Sequence, residues 1–296
     1  MILHKKTARR NVLKAGLTFL AASAVKTKQV LAVPKKAGEV RVLFLFGDYW
    51  HNSMTQEYHW GRVLGPTGWE LLFAQGSQFV TPEVLAETDL FVFCRYQGND
   101  TMGWSPEGIV KDRPTGAPWM TEEQEKAIIE NVNRGMGLLP YHCSIFNDNR
   151  KKYLELLGVK KPIIHGDIRC MTSYYDMNKD HPITSGIEPF DELDEIFDAE
   201  MLDVEYELLF RARQVTPVGK RPTWSRLLNI ELAGPVLERP GGWTREVGDG
   251  RVVYLNLGST PEIFWRKPVK DIMWRSAHWA MKKEIPSSDF LKEGMG

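Results

Sequence analysis

Short apolar runs alternate with amphipathic stretches along the first half of the chain. Continuous runs of this length are typical of strands that are buried on both faces of a parallel sheet. The amphipathic stretches begin at capping residues, such as Thr81 before a proline and Thr121 in a Thr-Glu-Glu-Gln sequence. We therefore predict strands at residues 40–46, 69–74, 89–94 and in the run that leads to His142, and helices at residues 55–64, 121–134 and 150–157, with a short helix from residue 81.

The second half of the chain has a different pattern. Alternating and mixed segments predict strands at residues 168–175, 196–199, 207–213 and 251–257, and a final amphipathic helix spans residues 268–283. Regular strand and helix alternation followed by strand-rich sequence indicates an α/β fold. We predict a doubly wound, mostly parallel sheet that is extended by antiparallel strands in the C-terminal half.

Residues 96–119 form the longest segment without a clear helix or strand pattern. They are rich in glycine and proline, and they are too long for an ordinary connection. A segment of this kind is typical of a lid or a binding loop.

Composition narrows the class of protein. The 296 residues include 38 Lys and Arg and 38 Asp and Glu, so no net field attracts a polyanion. We therefore expect no nucleic-acid partner. The apolar fraction of 43% is sufficient for a full core. The sequence leaves the oligomeric state open, and a homo-oligomer is one alternative.

The N-terminus has the pattern of an export signal. The pair Arg9-Arg10 precedes an apolar stretch at residues 15–25 that is too short to span a bilayer comfortably. This arrangement is typical of a twin-arginine signal, with cleavage expected after Ala32; an uncleaved amphipathic anchor is the alternative. We predict a signal peptide at 1–32, a linker at 33–39, one domain at 40–285 and a tail at 286–296. The expected location is the periplasm or another compartment outside the cytoplasm. After removal of the signal, we expect no stable membrane insertion.

The chain has three cysteines, an odd number for an oxidising compartment. Cys94 ends an apolar run and is expected in the core. Cys143 and Cys170 remain candidates for a disulfide bond, which the sequence does not decide.

The central apolar run ends at His142, Cys143 and Ser144. In an open α/β sheet, ligands bind beyond the carboxyl ends of the strands. His142 is therefore our first candidate for acid–base chemistry, since an imidazole titrates near neutral pH. His51 follows the first strand and should face the same crevice. The alternative for either histidine is a structural hydrogen bond to a neighbouring loop.

Several other side chains are expected around this crevice. Trp50, beside His51, offers a flat face for a pyranose ring, although core or lid packing explains most tryptophans. Polar residues at strand ends could bind sugar hydroxyls. We predict that the substrate-binding residues include Asp48, Arg95, Asn99 and Cys143.

A set of short motifs resembles the ThuA-like, trehalose-utilisation family. The motifs are Gly135-x-Gly-Leu-Leu-x-x-His142, Leu156-Leu157-Gly158, His165, Asp180-His181-Pro182-Ile183-Thr184, Asp194-Glu195, Gly250-Arg251-Val252-Val253-Tyr254 and Ala277-x-Trp279-Ala280. They extend in order over about residues 40–281. The resemblance implies a flavodoxin-like sheet, as in class I glutamine amidotransferases, and a small-molecule carbohydrate partner, in particular a sugar oxidised at C3.

The resemblance also assigns residues. It implies that Glu195 is a base or a metal ligand, although a charged run around Glu195 is also typical of a solvated loop. Asp194 and Ser259 are further candidates for substrate binding. His51, His142 and His165 become a candidate set for zinc or another divalent ion. His181 is interpreted as a turn residue whose imidazole bonds to the backbone, and His59 and His278 as packing residues.

Two departures limit the possible reactions. Ser259 stands where family members often carry histidine. Cys143 lacks the small neighbours of an amidotransferase nucleophile, and no late His-x-Glu is present. Glutamine amidotransfer is therefore disfavoured. The sequence leaves two hypotheses: acid–base cleavage or isomerisation of a 3-keto-glycoside, with His142, Glu195 and His51 as catalytic residues, or carbohydrate binding without catalysis.

Overall fold

The computed structural model describes residues 34–48, 50–74, 76–97, 104–105, 108–109, 118–147, 149–163, 170–214 and 238–294. The predicted signal peptide, Asn99 and His165 lie outside these ranges. Lys35–Gly296 form one compact unit. Among the described residues, no helix combines the length and apolar character needed to cross a bilayer.

A nine-stranded sheet forms the centre of the molecule, in the order β2-β1-β3-β6-β13-β12-β11-β8-β9. The pairs from β2 to β13 are parallel, and those from β13 to β9 are antiparallel. This confirms the predicted mixed α/β fold. The strands are β1 Arg41–Phe46, β2 Glu70–Ala74, β3 Leu90–Cys94, β6 Gly137–Pro140, β8 Cys170–Tyr175, β9 Phe190–Asp194, β11 Glu207–Gln214, β12 Glu238–Val247 and β13 Gly250–Leu255.

Two small antiparallel pairs lie outside the main sheet. Strand β7 (Val159–Ile163) pairs with β10 (Asp198–Met201), and β4 (Trp104–Ser105) pairs with β5 (Gly108–Ile109). The second pair falls within the long segment at 96–119, most of which lies outside the described residues.

Helices cover both faces of the sheet. They are α1 Ser53–Leu64, α2 Pro82–Ala86, α3 Glu122–Arg134, α4 Lys151–Leu157 and α5 Lys267–Ala280. Successive residues of β1 belong to different core clusters: Val42 and Phe44 lie in the cluster that contains α1 and α5 residues, whereas Leu43 and Leu45 lie in the cluster that contains residues of α2, α3 and α4. Because side chains alternate along a strand, the sheet is wound on both faces.

Local sequence signals set the helix ends; those at Thr121 and Gly158 were predicted, whereas the Asn52 cap was not. Thr121 and Gln124 form a reciprocal capping box at the start of α3. Asn52 caps α1 through a hydrogen bond from the Met54 amide, and Gly158 ends α4 in the left-handed conformation.

Strands β4, β5, β7, β9 and β12 were not predicted. Strand β12 contains a proline and two adjacent glycines, which normally weaken a strand. The glycines are needed because Phe210 of the neighbouring strand packs onto them: a Cβ atom on Gly242 would lie 2.9 Å from the Phe210 ring. Tertiary packing thus overrides the local propensity.

The approach of β6 to the end of α5 leads to a stability prediction. A Cβ atom on Gly137 would lie 2.8 Å from the carbonyl oxygen of Ala280. Gly137→Ala should therefore lower the free energy of unfolding by about 1–3 kcal/mol, because backbone must move to accommodate the methyl group. Urea denaturation measures this change. Gly65→Ala is the control, since no atom lies within 4 Å of its added Cβ; equal losses in both variants would contradict the prediction.

Candidate active site

Four loops meet at the carboxyl edge of the sheet. They follow β1, β3, β6 and β13, four strands that are neighbours in the parallel part of the sheet. Strand β1 lies between β2 and β3, so the edge contains the point where the strand order reverses, which is where ligands bind in open α/β sheets.

His142 occupies a strained turn directly after the central strand. Tyr141 still pairs with Leu255, and His142 then adopts a φ of 49°, a value uncommon for a residue with a side chain. The hydroxyl of Tyr254 donates a 2.6 Å hydrogen bond to the His142 carbonyl oxygen. Strain of this kind costs about 1–3 kcal/mol and is concentrated at functional sites. The turn holds the imidazole in one position.

The His142 ring is fully buried among side chains from three parts of the chain. It makes an edge contact with His51 at 4.8 Å between ring centroids and packs against Phe197 at 4.7 Å. Its Nε2 atom lies 3.8 Å from Oε2 of Glu195. The three residues predicted to be catalytic are therefore neighbours, with His142 in contact with the other two.

His51 forms a buried ion pair with Asp48. The His51 Nδ1 atom lies 2.8 Å and 2.9 Å from the two Asp48 oxygens, and the carboxylate also accepts hydrogen bonds from the amides of Trp50, His51 and Tyr96. Burial lowers the pKa of His51, but the hydrogen bond and charge of Asp48 outweigh it and raise this pKa to about 9. Burial raises the pKa of Asp48, but the bond and charge of His51 prevail and lower it to about 2. His51 is thus an imidazolium at neutral pH.

The ion pair predicts a dependence on pH. Because the folded state binds the His51 proton more tightly, the contribution of His51 to stability is complete below pH 6.5 and is lost as the pH rises through about 9. In Asp48→Asn the hydrogen bond and charge that outweigh burial are lost, and only the smaller effects of Cys94 and Glu195 still raise the pKa of His51, so this pKa should fall well below 9. Histidine NMR titration measures this value.

The control for this titration is Asp176→Asn, which removes an exposed carboxylate. A His51 pKa near 9 in Asp48→Asn would show that Asp48 does not hold the proton.

Asp194 organises the loop after β13. Its buried carboxylate accepts hydrogen bonds from the Tyr174 hydroxyl at 2.6 Å, the Gly258 amide at 2.9 Å and the Ser259 amide at 2.8 Å. Burial raises the pKa of Asp194, and these hydrogen bonds oppose the increase. Asp194 is fully buried, so the structure places it behind the cleft as a support for the loop that carries Ser259.

Glu195 lies closer to the surface. Oε2 of Glu195 accepts a 3.3 Å hydrogen bond from the Ser259 hydroxyl, and 16% of its side chain is exposed. Ser259, at the position where family members often have histidine, therefore contacts the proposed base instead of supplying a second imidazole.

The cysteines lie beneath His51. The Cys143 sulfur is 3.4 Å from His51 Nδ1, 3.4 Å from Asp48 Oδ2 and 3.6 Å from the Cys94 sulfur. Cys94 is buried, as predicted, and both cysteines are free thiols. The neighbour of Cys143 is Cys94, a contact that was not predicted. The side chain of Cys170, the predicted candidate partner, lies outside the described residues. Burial raises the pKa of Cys143 well above its ordinary value, so this thiol is not an activated nucleophile.

A cleft lined in part by His51 and Ser259 opens at this edge of the sheet. Trp50 is 60% exposed at this cleft, whereas Arg95 and Cys143 are buried below the surface. The cleft is lined by Trp50, His51, Asn52, Thr55, Gln56, Gly258, Ser259, Thr260, Pro261 and Phe264.

The metal ligands predicted from the sequence are only partly assembled. His51 and His142 are neighbours, and His165 lies outside the described residues. In the part of the chain that the structure describes, the donor atoms close enough to share an ion belong to His51, Cys94 and Cys143, within 4.8 Å of one another. Cys94 and Phe197 were not predicted as site residues. The position of Cys94, at the end of a strand next to β6, was the sequence signal that could have identified it.

Three other histidines have structural contacts. His181 Nδ1 accepts a 3.1 Å hydrogen bond from the Ile183 amide, as the turn interpretation predicted. His59 packs against Phe264 and Trp265, and His278 against Trp69 and Trp274.

Comparisons with known proteins agree with this fold. The model of the ThuA family, described as trehalose utilisation, matches residues 41–280. A thua-like protein from Parabacteroides merdae is 16% identical, with a TM-score of 0.58 over 86% of this chain and 95% of that one. A thua-like protein from Bacteroides uniformis is 15% identical, with a TM-score of 0.55 over 88% and 99% of the two chains.

A cytoplasmic protein from Salmonella typhimurium LT2 has a TM-score of 0.51 at 12% identity, over 81% of this chain and 99% of that one. These likenesses concern the fold. No curated protein matches the sequence significantly. The family model covers most of the chain, and this chain therefore belongs to the ThuA, trehalose utilisation, family.

Proposed function

We propose that this protein cleaves 3-keto-glycosides by acid–base chemistry outside the cytoplasm. The observation that carries the proposal is that an imidazolium, His51, and a partly exposed carboxylate, Glu195, both contact the His142 ring. A carbonyl substrate needs these two groups: an electrophile for the oxygen and a base for the adjacent C–H. The twin-arginine-type N-terminus supports an exported location.

The reaction balances without an external reductant or oxidant. Glu195 removes the proton at C2, and the electron pair forms an enolate whose oxygen accepts a hydrogen bond from His51. The enolate then expels the C1 substituent as an alcohol, which takes up one proton, and leaves a C1–C2 double bond. Water adds across this bond, so that the sum is hydrolysis of the glycosidic bond. Isomerisation of the keto sugar would use the same enolate and return the proton without loss of the C1 substituent.

Electrostatics support the role of His51. Asp48 is bonded to Nδ1 and holds the positive charge, which leaves Nε2 as the ring nitrogen for a ligand. His142 positions both partners, because its ring touches the His51 ring and its Nε2 lies near the Glu195 carboxylate. Trp50 gives the sugar an aromatic face at the cleft.

A divalent ion such as zinc is the alternative source of positive charge. An ion on the imidazoles of His51 and His142, with His165, would polarise the same carbonyl oxygen. It would compete with the proton on His51, so the two versions predict different responses to chelation.

The test is turnover of methyl 3-keto-β-glucoside and 3-keto-trehalose by the purified protein in deuterated buffer, with and without a chelator. Release of the alcohol together with deuterium at C2 is expected. Loss of turnover on chelation, restored by zinc, would assign the charge to a metal. Sugar binding without release or exchange would overturn the catalytic proposal in favour of a binding protein.

A further inference from the structure

The proposed sugar site adjoins an aromatic pair, formed by an exposed residue of α1 and a half-buried residue just before α5. Tyr58 and Trp265, which we call the aromatic ledge, have ring centroids 5.8 Å apart. Tyr58 lies three residues after the cleft residue Thr55, and residues at this spacing are neighbours on one helix face. Trp265 follows the cleft residue Phe264. The ledge therefore begins about one helical turn from the cleft.

The ledge is held in place by its neighbours. The Tyr58 hydroxyl accepts a 2.9 Å hydrogen bond from Arg62, and the His59 ring contacts both Tyr58 and Trp265, at 5.3 Å and 4.4 Å. A rigid aromatic surface loses little conformational entropy when it binds a ligand.

Core packing does not account for the exposed side of this helix. The buried residues of α1 include Trp60, Val63 and Leu64. By contrast, Met54 is 74% exposed and Tyr58 is 47% exposed. Met54 and Tyr58 are four residues apart and therefore lie on one side of the helix. An exposed apolar surface beside a cleft is typical of a ligand-binding region.

A cation lies beside this surface. The Arg62 guanidinium carbon is 5.6 Å from the centre of the Tyr58 ring. Its charge favours an electron-rich ligand ring and the developing negative charge of a leaving phenol.

We infer that the aromatic ledge binds the aglycone of the substrate, and that this aglycone is an aryl group. The inference rests on the proposed function for its sugar half. The aromatic ledge begins about one helical turn from the cleft. An aryl ring attached to a sugar in the cleft could contact the ledge, whereas a methyl group is too short to do so.

The experiment compares phenyl 3-keto-β-glucoside, methyl 3-keto-β-glucoside and 3-keto-trehalose in the intact protein and in Tyr58→Ala. Calorimetry gives the dissociation constants, and initial rates give kcat/KM. Tyr58→Ala should weaken binding of the phenyl glycoside about 3–10-fold, a typical value for one aromatic contact, and leave the methyl glycoside unchanged. Tyr206→Ala, which removes another exposed tyrosine, is the matched control. Tyr58→Leu, with a measured Tm, checks that folding is intact.

Each result separates the two proposals. Equal effects of Tyr58→Ala on both glycosides, or none on either, would overturn the aromatic ledge while turnover of the methyl glycoside still supported the proposed function. A selective effect on binding without any turnover would support the ledge and contradict the catalytic proposal. A selective effect on 3-keto-trehalose but not on the phenyl glycoside would replace the aryl group by a second sugar and overturn the inference.

Discussion

Turnover of a 3-keto-glucoside is expected to fall by about 10²–10⁴-fold in Glu195→Gln, the range associated with loss of a general base. Glutamine keeps the size of the side chain and can still accept the hydrogen bond from Ser259. It cannot take a proton from carbon at neutral pH. Because the sugar contacts remain, the loss should appear in kcat, with little change in KM. Deuterium exchange at C2 should fall in parallel. Exchange reports the removal of the C2 proton directly, whereas the rate of product release does not.

The control is Glu188→Gln, which makes the same chemical change at an exposed position. If Glu195→Gln kept full turnover and exchange, the base would have to be another group, and His142→Ala would be the next variant. If the variant lost sugar binding instead, Glu195 would have a binding role, as the non-catalytic hypothesis requires.

The largest loss of stability among these variants is expected for Asp194→Asn, at about 2–4 kcal/mol. The backbone amides of Gly258 and Ser259 point at different oxygens of this buried carboxylate. Whichever oxygen becomes an amide nitrogen, two donors then face each other at a fully buried position. Urea denaturation measures the loss, and the cleft should be disturbed because Ser259 is on the displaced loop.

Asp191→Asn is the matched control, since Asp191 lies on the same strand with an exposed side chain. Tyr174→Phe should lose less stability than Asp194→Asn. It removes one hydrogen-bond donor and leaves the hydrogen bonds from the Gly258 and Ser259 amides intact. Equal stability of Asp194→Asn and the parent protein would mean that the loop is held by other contacts.

The sequence was sufficient to place His51 and His142 at one site. Both follow continuous apolar runs, and parallel strands that are neighbours bring their carboxyl ends to one edge. The helices could be predicted equally well from the sequence. Capping residues such as Thr121 and Gly158 act over a few residues and do not depend on tertiary contacts. These features depend on local chemistry and on a general rule of topology.

The roles of Asp194 and Glu195 could not be separated in the same way. Side chains alternate along a strand, so the strand assignment decides which of two adjacent acids is buried. The run that contains them reads as a solvated loop, and β9 was missed. The hydrogen bond between Asp48 and His51 Nδ1 could not be predicted either, because a charged residue that is buried in a loop has no periodic sequence pattern. For Asp194 and Glu195 the family resemblance supplied the candidates and the fold supplied the geometry.

The order of the strands has a consequence for how the protein matures. His51 follows the first strand, while Ser259 follows the last, and β13 inserts between β6 and β12 in the middle of the sheet. Contacts between distant parts of a chain form late in folding, because a long loop must close first. During synthesis, the cleft therefore stays open on one side until β13 has left the ribosome and taken its place. Truncated or partly synthesised chains will contain both histidines but no complete binding site.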